Sequence, residues 1–393
     1  MINIMANETL AYKKIRIGWF ASGFVGRPAS GTAYVARRVV EHFIIRCSDK
    51  FEIILFTKNE LESSQAHLDP VLKSASIVEL PAVKGSFMNG SRQFYKYCKN
   101  SEIIVDFIIF SVARVYPFFW KFPAKKFICI FHAAGDMTVK ADKFVLSKHI
   151  YNYVNKLQWK YFDAIIAVSE FARREIIENY GVAAAAVRII PPGVDSFKQE
   201  SISRPNSIKS NKPIVAVIGR WQTFKNVGFT CKILRELRKN SSIDFHIVLV
   251  GRSNVKGREN VENEIKLHSK QSITVIEYLE PSELVWLYQN AKLTIVPSLN
   301  EGFGMPSFEA YASGANLLVH SKTPAASMLK NELGVYSCNM EDFAESLSQI
   351  NFILENYVPV DLILRSNYIS NRRLTWIDFG EKYVELILEQ SLY

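Results

Sequence analysis

Two glutamates, Glu301 and Glu309, lie eight positions apart in the stretch PSLNEGFGMPSFEAYASG, with a glycine-rich turn between them. The apolar run LTIVPS before them is typical of a buried strand. Pro306 is expected to stand at the start of a helix, because its missing N–H needs no partner there. In open α/β sheets, ligands bind at the carboxyl ends of strands, next to helix N-termini. The stretch therefore predicts a site that favours a phosphate.

The two carboxylates would repel a phosphate unless they address another part of the same ligand. A carboxylate accepts two hydrogen bonds from neighbouring hydroxyl groups, so ribose or sugar hydroxyls are the natural targets. Gly302 and Gly304 permit the close backbone approach that such a ligand needs. A molecule that joins a diphosphate to ribose and sugar hydroxyls is a nucleotide sugar.

Cations for the diphosphate are offered by Arg220 and Lys225 in IGRWQTFKN, at the carboxyl end of another predicted strand. Arginine supplies a forked donor and lysine a point charge. A metal ion is the alternative way to neutralise a diphosphate, but the chain contains no Asp-x-Asp pair. We therefore expect no metal and no cofactor, and a nucleotide sugar that serves as a substrate.

Several segments together resemble glycosyltransferase family 4, nucleotide-sugar-dependent enzymes of the GT-B fold that retain the anomeric configuration. These segments are IGRWQTFKN, SELVWLYQNAKLTIVPSLNEGFGMPSFEAYASG, IIAVSEFARREIIENYG and IIPPGVDSF. The resemblance runs from about Ile15 to Trp376. It implies an α/β chain with two Rossmann-like doubly wound domains facing across a cleft, and a C-terminal helix that crosses back to the first domain.

The resemblance also implies roles for single residues. Glu309 resembles the glutamate that binds the ribose hydroxyls, and Glu301 the one beside the donor sugar and the transition state. Arg220 and Lys225 are similar to the pair that holds the diphosphate. His132 falls where the family often has a histidine near the reacting centre. The other donor-site positions that the resemblance implies are Gly31, Leu279, Gly302, Phe303, Gly304 and Met305.

Within that set, Gly31 resembles a loop glycine that closes on the donor phosphates, and Leu279 lies where the base pocket is expected. The amides of residues 302–304 resemble contacts to sugar hydroxyls. The chain departs from the family pattern at Tyr278 and at Ser313 to Leu317, near the expected base or ribose. These departures leave the identity of the nucleotide open.

Each of these residues also has an ordinary structural explanation. Glutamates near a helix N-terminus stabilise the helix dipole by roughly 0.3–1 kcal/mol each. The two cations can be solvated loop charges, His132 a structural histidine at a strand end, and Gly31 the first residue of a helix. The shared context of all these positions favours the donor-site interpretation.

Short β-rich apolar runs alternate with helical patterns along the chain, which is typical of βα units around parallel sheets. The polar segment KQESISRPNSIKSNK, residues 198–212, is predicted to be a linker. Residues 1–197 are predicted to form an acceptor-binding domain and residues 213–373 a nucleotide-sugar-binding domain. The apolar stripe in residues 374–393 predicts an amphipathic helix that packs on the first domain.

The net charge of +10 is concentrated in the first half, where residues 1–200 hold 27 Lys and Arg against 18 Asp and Glu. The segment Val112–Phe127 interleaves aromatic residues with Lys121, Lys125 and Lys126. This pattern suits either a core loop with a solvated rim or a patch that contacts anionic lipid. No nucleic-acid-binding signature accompanies it, so nucleic acid is not an expected partner.

The composition, with 48% hydrophobic and 22% charged residues, is that of a packed globular protein. The five cysteines are widely separated and never form a CxxC pair, which argues against a disulfide framework and a zinc site. The N-terminus lacks the pattern of a signal peptide, and no uncharged apolar run approaches about 18 residues. We expect a cytoplasmic protein, peripheral at the inner face of the cell membrane.

The expected activity is transfer of a hexosyl group from GDP-mannose or a UDP-hexose to a hydroxyl of a glycan or lipid-linked acceptor. Lipopolysaccharide, O-antigen or capsule biosynthesis in bacteria is the expected setting. Two alternatives remain open. A sugar-nucleotide epimerase of the same fold would change the donor without an acceptor, and a non-catalytic partner in a polysaccharide assembly complex would not need the donor site.

Overall fold

A computed structural model describes most of the chain. The described residues are 13–20, 31–58, 70–80, 96, 99–100, 102–111, 119–132, 157–194, 202–240, 243–251, 258–357, 360 and 362–392. Residues 112–118 of the aromatic and basic segment lie outside them, as do residues 198–201 at the beginning of the predicted linker.

The strands of the described residues form two sheets in which neighbouring strands are parallel. The first sheet contains β1 (Ile15–Phe20), β2 (Phe51–Lys58), β3 (Ser76–Leu80), β4 (Val105–Phe110), β5 (Ala124–Phe131), β6 (Ala164–Ala167) and β7 (Val187–Ile189). The second contains β8 (Ile214–Ile218), β9 (His246–Val250), β10 (Ile273–Ile276), β11 (Ala291–Val296), β12 (Leu317–His320) and β13 (Val335–Cys338).

The α-helices of the described residues lie between the strands in the chain. They are α1 (Gly31–Arg46), α2 (Glu170–Tyr180), α3 (Val227–Asn240), α4 (Arg258–Lys266), α5 (Pro281–Asn290), α6 (Met305–Ala312), α7 (Pro324–Met328), α8 (Phe343–Glu355), α9 (Leu362–Asn371) and α10 (Trp376–Ser391). The predicted alternation of strands and helices is confirmed, and each sheet is the centre of a Rossmann-like fold.

The order of the strands decides where each sheet can bind a ligand. The first sheet runs β3-β2-β1-β4-β5-β6-β7 and the second β10-β9-β8-β11-β12-β13. In each, the order along the sheet reverses direction once, between β1 and β4 and between β8 and β11. Loops diverge at such a point and leave a crevice at the carboxyl ends of the two strands. The residues that follow β8 and β11 are therefore the ones to examine.

Burial on both faces explains why these strands read as continuous apolar runs. All five residues of β8 are buried, and so are all five of β9. Parallel strands covered by helices on both faces need this composition. One face of β11, with Leu293 and Ile295, packs in a core with Leu234 of α3 and Ile350 of α8.

The chain divides into two compact units. The first comprises residues 1–167, 175–190 and 380–393, and the second comprises residues 168–174 and 191–379. The transitions thus fall at residues 190 and 379, whereas the sequence pattern placed the domain boundaries at 197 and 373. The C-terminal helix is present, and its residues from Gly380 onward belong to the first unit. There Arg188 pairs with Glu389 at 2.7 Å.

The described part of the predicted linker, residues 202–212, is packed on the second unit. Ile208 is buried, and the guanidinium of Arg204 lies 5.4 Å from the ring centre of Trp286 in α5. The hydroxyls of Ser203 and Ser282 are 3.2 Å apart. One buried isoleucine and one stacked arginine are enough to fix a short segment. Because the rest of the segment is polar, its overall composition does not indicate these contacts.

No helix among the described residues is both long and apolar enough to cross a lipid bilayer.

Candidate functional site

The loops that follow β8 and β11 are held together at the crevice of the second sheet. The Leu299 amide donates to the Phe224 carbonyl at 2.9 Å, which ties the loop after β11 to the loop after β8. The loop after β8 also passes tightly over the end of β9, since a Cβ on Gly251 would lie 1.9 Å from the Gly219 oxygen. Arg220 follows at this crossing and is half-buried. The strand order thus brings both predicted groups of donor-site residues to one place.

Lys225 and Glu301 form an ion pair at that place. The Lys225 ammonium donates to a Glu301 carboxylate oxygen at 2.5 Å, and only 17% and 14% of the two side chains are exposed. Lys225 ends a short 3-10 turn, and the next residue, Asn226, has a left-handed backbone with φ 56°. The side-chain amide of Asn226 donates to the Met340 carbonyl at 2.7 Å, which anchors the turn.

The turn after Glu301 leads directly into α6. Gly304 is the N-cap residue of α6 and has φ +93°, a left-handed conformation that is strained for any residue with a side chain. The helix begins at Met305, so Pro306 is its second residue rather than its first, and the missing N–H still falls in the turn that has no internal acceptor. The ring of Phe303 stacks on Phe308 with 4.3 Å between centres. Phe303 therefore anchors the turn through its side chain.

Glu309 lies one turn into α6 and is half-buried. Its charge acts on Tyr288 of α5, a fully buried residue whose hydroxyl has no hydrogen-bond partner among the described residues. Burial first, and the Glu309 carboxylate second, raise the pKa of the Tyr288 phenol well above its usual value. Glu301 and Glu309 thus differ in their surroundings, since the first faces a cation and the second a neutral phenol.

The stretch that departs from the family pattern closes the end of α6. The Ser313 hydroxyl donates to the Glu309 carbonyl at 2.7 Å, and Gly314 has φ +91°.

The other departure from the family pattern lies just before α5. There Leu279 has a buried side chain, while the side chain of its neighbour Tyr278 is exposed. Of these two residues, Tyr278 is the one whose side chain is accessible from outside the protein.

His132 and Gly31 belong to the first unit. His132 follows β5, and its Nε2 lies 3.0 Å from the Ser111 carbonyl, which follows β4. Because a carbonyl only accepts, Nε2 carries the hydrogen of the neutral ring and Nδ1 is left as an acceptor. The Ser111 hydroxyl also accepts from Trp19 Nε1 of β1 at 2.5 Å. These three residues gather at the reversal point of the first sheet.

Gly31 is exposed and is the first residue of α1. A Cβ at this position would meet no atom of the described residues within 4 Å, so these neighbours do not require glycine. Two of the lysines in the basic segment have partners within the first unit: Lys125 pairs with Asp106 at 2.8 Å, and Lys126 donates to the Gln390 carbonyl at 2.6 Å.

Comparisons with known protein families cover almost the whole chain. The family described as "Glycosyltransferase Family 4" matches residues 36–196, and the family described as "Glycosyl transferases group 1" matches residues 198–374. The chain belongs to the family 4 glycosyltransferases.

Relatives and solved structures agree with this membership. A D-inositol 3-phosphate glycosyltransferase from Nocardia farcinica is 28% identical over 166 residues, which are 40% of this chain and 37% of that protein. The aligned part is thus less than half of that relative. The structure of sucrose-phosphate synthase from Thermosynechococcus elongatus has a TM-score of 0.72 at 15% identity. The match covers 96% of this chain and 100% of that chain.

Two further structures extend the comparison. The lipopolysaccharide outer core galactosyltransferase WaaB has a TM-score of 0.67 at 15% identity, with 96% and 100% of the two chains covered. Anabaena HepE in complex with UDP and glucose has the same TM-score at 14% identity, with 95% and 100% covered. At these identities the likeness shows the GT-B fold of the family 4 glycosyltransferases.

Sequence reasoning missed residues of this family 4 glycosyltransferase that hold the site in place. Ser169, Trp19, Ser111 and Arg365 each bond to a residue far away in the chain. The only sequence signal for Ser169 was its place in the segment IIAVSEFA. Arg365 had no such sequence signal, because it is a single charged residue in α9 and belongs to no motif.

The partly buried His132 should make folding depend on pH. Burial lowers the pKa of His132 to about 4, although its bond to Ser111 opposes the shift. The unfolded chain takes up the proton near pH 6.5, while the folded protein does so only near pH 4. Stability is therefore expected to fall by about 2 kcal/mol for this residue between pH 7.5 and pH 5. Denaturant unfolding at a series of pH values measures it.

His132→Gln is the matched control, because glutamine can still donate to the Ser111 carbonyl but does not titrate. Burial also lowers the pKa of His42, His246, His268 and His320, so the wild type loses additional stability in acid. The difference between the wild-type and variant curves isolates His132. Parallel curves would contradict the prediction.

Proposed function

We propose that this chain is a retaining glycosyltransferase that moves a hexosyl group from a nucleotide sugar to a hydroxyl of a glycan or lipid-linked acceptor. The second unit would bind the donor and the first unit the acceptor. Membership of glycosyltransferase family 4 supports the reaction class. GDP-mannose and the UDP-hexoses remain the candidate donors.

The observation that carries the proposal is the Lys225–Glu301 pair at the turn that opens α6. The cation lies where the amides of a helix N-terminus already favour a diphosphate. The carboxylate beside it suits the hydroxyls of the attached sugar, and Glu309 suits the ribose. With Arg220 on the same loop as Lys225, protein cations can neutralise the diphosphate, so the proposed reaction needs no metal.

The proposed chemistry is a front-face displacement. The bond between the sugar C1 and the phosphate oxygen breaks, and the acceptor oxygen bonds to C1 from the same face. The acceptor proton passes to the departing phosphate oxygen. Lys225, Arg220 and the first amides of α6 would stabilise the charge that develops on the diphosphate, and such preorganised electrostatics supply much of catalysis. A covalent sugar adduct isolated on Glu301 would contradict this route.

The proposed setting is assembly of a bacterial surface polysaccharide or lipopolysaccharide at the cytoplasmic face of the membrane. The positive charge of residues 1–200 suits an anionic or lipid-linked acceptor. The galactosyltransferase WaaB, which has the same fold, is described as acting in the lipopolysaccharide outer core. The ion pair of Lys125 and the bond of Lys126 leave fewer lysines of the basic segment for a lipid surface than its composition indicates.

A thermal-shift panel tests the donor site. GDP, UDP, dTDP and their common sugar derivatives are added to the wild type and to Glu309→Ala, with and without Mg²⁺. A ligand at a hundred times its Kd should stabilise the wild type by about 2.7 kcal/mol. We expect one base to stabilise it without Mg²⁺, and we expect that shift to be lost in the variant. No shift with any nucleotide would overturn the proposal.

Product analysis then separates transfer from the alternatives. The stabilising nucleotide sugar is incubated alone and with a lipid-linked glycan, and the sugars are identified by mass and NMR spectroscopy. A transferase consumes donor only with acceptor, apart from slow hydrolysis. Conversion of the donor sugar to its epimer without acceptor would show the epimerase instead.

A further inference from the structure

Ser169 occupies a junction between α2 and the turn that follows Glu301. It is buried, with 2% of its surface exposed, and it lies in the second unit together with that turn. Its hydroxyl oxygen accepts from the Ala172 amide at 3.0 Å, which caps the N-terminus of α2. Its hydroxyl hydrogen is donated to the Gly302 carbonyl. One small side chain thus serves both the helix and the turn.

The bond to the Gly302 carbonyl fixes more than one atom. The carbonyl of Gly302 and the N–H of Phe303 belong to one planar peptide, and no peptide bond among the described residues is cis. In a trans peptide the two groups point in opposite directions. A donor that holds the oxygen therefore also sets the direction of the Phe303 N–H.

The residues on the two sides of this peptide differ in conformational freedom. Gly302 has no Cβ, so its backbone tolerates conformations that other residues avoid. Phe303 is held on the other side by its stacking on Phe308. The Ser169 bond thus acts on the side of the peptide where the residue type permits other orientations.

We propose that Ser169 is a positioning residue for the donor sugar. It holds the Gly302–Phe303 peptide so that the Phe303 amide is presented to a sugar hydroxyl, while Glu309 and the cations bind the nucleotide independently. The inference rests on the proposed function, since it concerns the donor of that reaction. It predicts that Ser169 governs the preference for a nucleotide sugar over the bare nucleotide.

The test compares two ligands on the same protein. The Kd values of UDP and UDP-glucose, and of GDP and GDP-mannose, are measured by calorimetry for the wild type and Ser169→Ala. We expect the nucleotide sugar to bind about tenfold more weakly to the variant, and the bare nucleotide to bind unchanged, because one hydrogen-bonded contact is lost. In turnover assays the KM for the donor should rise by a similar factor, with a smaller effect on kcat.

Two variants separate positioning from loss of the helix cap. Ser169→Thr keeps the hydroxyl and should restore the preference. Asp342→Ala removes the cap of α8, where the carboxylate accepts from the Glu345 amide at 2.9 Å, a bond that does not involve the turn. It should lower the melting temperature without changing the preference. If Ser169→Ala does not fold, Ser169→Cys keeps the size of the side chain but donates weakly, and should show the same loss.

Equal weakening of nucleotide and nucleotide sugar in Ser169→Ala would overturn the inference, because it would indicate general damage to the site. An unchanged preference would overturn it as well. Failure of the proposed function is a different result, since the wild type itself would then bind neither ligand.

Discussion

Lys225→Met should lower kcat/KM of the proposed transfer about 100-fold. Removal of one preorganised group that stabilises developing charge typically costs 10²–10³ in rate. The variant also leaves the Glu301 carboxylate, with 14% of its side chain exposed, without the cation that lies 2.5 Å away. Breaking a largely buried pair is destabilising. Steady-state kinetics with the donor identified by thermal shift, together with melting curves, measure both effects.

Lys212→Met is the matched control within the same unit. Lys212 pairs with Asp244 at 2.7 Å, but more than half of each side chain is exposed. Exposed pairs contribute little, so this variant should keep wild-type turnover and stability. The double variant Lys225→Met/Glu301→Gln should regain stability without regaining turnover. Wild-type kcat/KM in Lys225→Met would show that the diphosphate is held elsewhere.

Arg365→Met should destabilise the second unit by about 3 kcal/mol. The Arg365 guanidinium is 2% exposed and donates to the carbonyls of Tyr311, Ala315 and Leu333 at 2.7–2.9 Å. It also lies 4.6 Å from the centre of the Tyr311 ring. Methionine fills much of the volume but removes all three of these hydrogen bonds. The Tyr311 carbonyl keeps the Gly314 amide at 3.0 Å and Leu333 is exposed, so the main cost is the buried Ala315 carbonyl, at about 1–3 kcal/mol for an unsatisfied group, plus the lost contact with the Tyr311 ring.

Part of this loss is offset, because the variant no longer buries a charge. Burial lowers the pKa of Arg365 to about 10, which shows that the folded environment disfavours its cation. Chemical denaturation measures the net result. Arg372→Met is the control: Arg372 also lies over a tyrosine ring, that of Tyr368 at 5.2 Å, but it is exposed and should have little effect. Equal stability of the two variants would contradict the prediction.

The destabilised variant should also lose donor affinity. Arg365 fixes the carbonyls at the end of α6, the helix that carries Glu309. Arg365→Met and Arg372→Met together therefore test whether the position of α6 affects donor binding in addition to the stability of the second unit. Donor Kd values measured well below the melting temperature separate the two effects.

Most of the fold could be predicted because parallel strands buried on both faces have an unmistakable composition. Every strand from β8 to β12 coincides with an apolar run such as IVAVI, HIVLV or LTIV. The apolar signal is weakest in β7 and β13, which lie at the edges of their sheets. Their residues are partly exposed, as in Arg188, Ile189 and Ser337, so the apolar signal is diluted.

The boundaries of the two units were harder to predict, because they depend on packing and not on local composition. The segment 202–212 looks like a linker from its serines and lysines, yet Ile208 and Arg204 fasten it to the second unit. Residues 168–174 follow β6 directly in the chain but cluster with the second unit. Neither assignment has a counterpart in the periodicity of the sequence.

The residue types and strand ends of the candidate donor site can be read from local patterns: two glutamates around a glycine turn, a lysine and an arginine after another strand, and a helix that begins at the turn. Which of these side chains meet depends on the folded chain. Lys225 reaches Glu301, 76 positions away, because β8 and β11 are neighbours in the sheet. Ser169 reaches Gly302, 133 positions away, because residues 168–174 pack with the second unit. Strand order and packing follow from how crossovers and cores assemble over the whole chain, which no local spacing encodes.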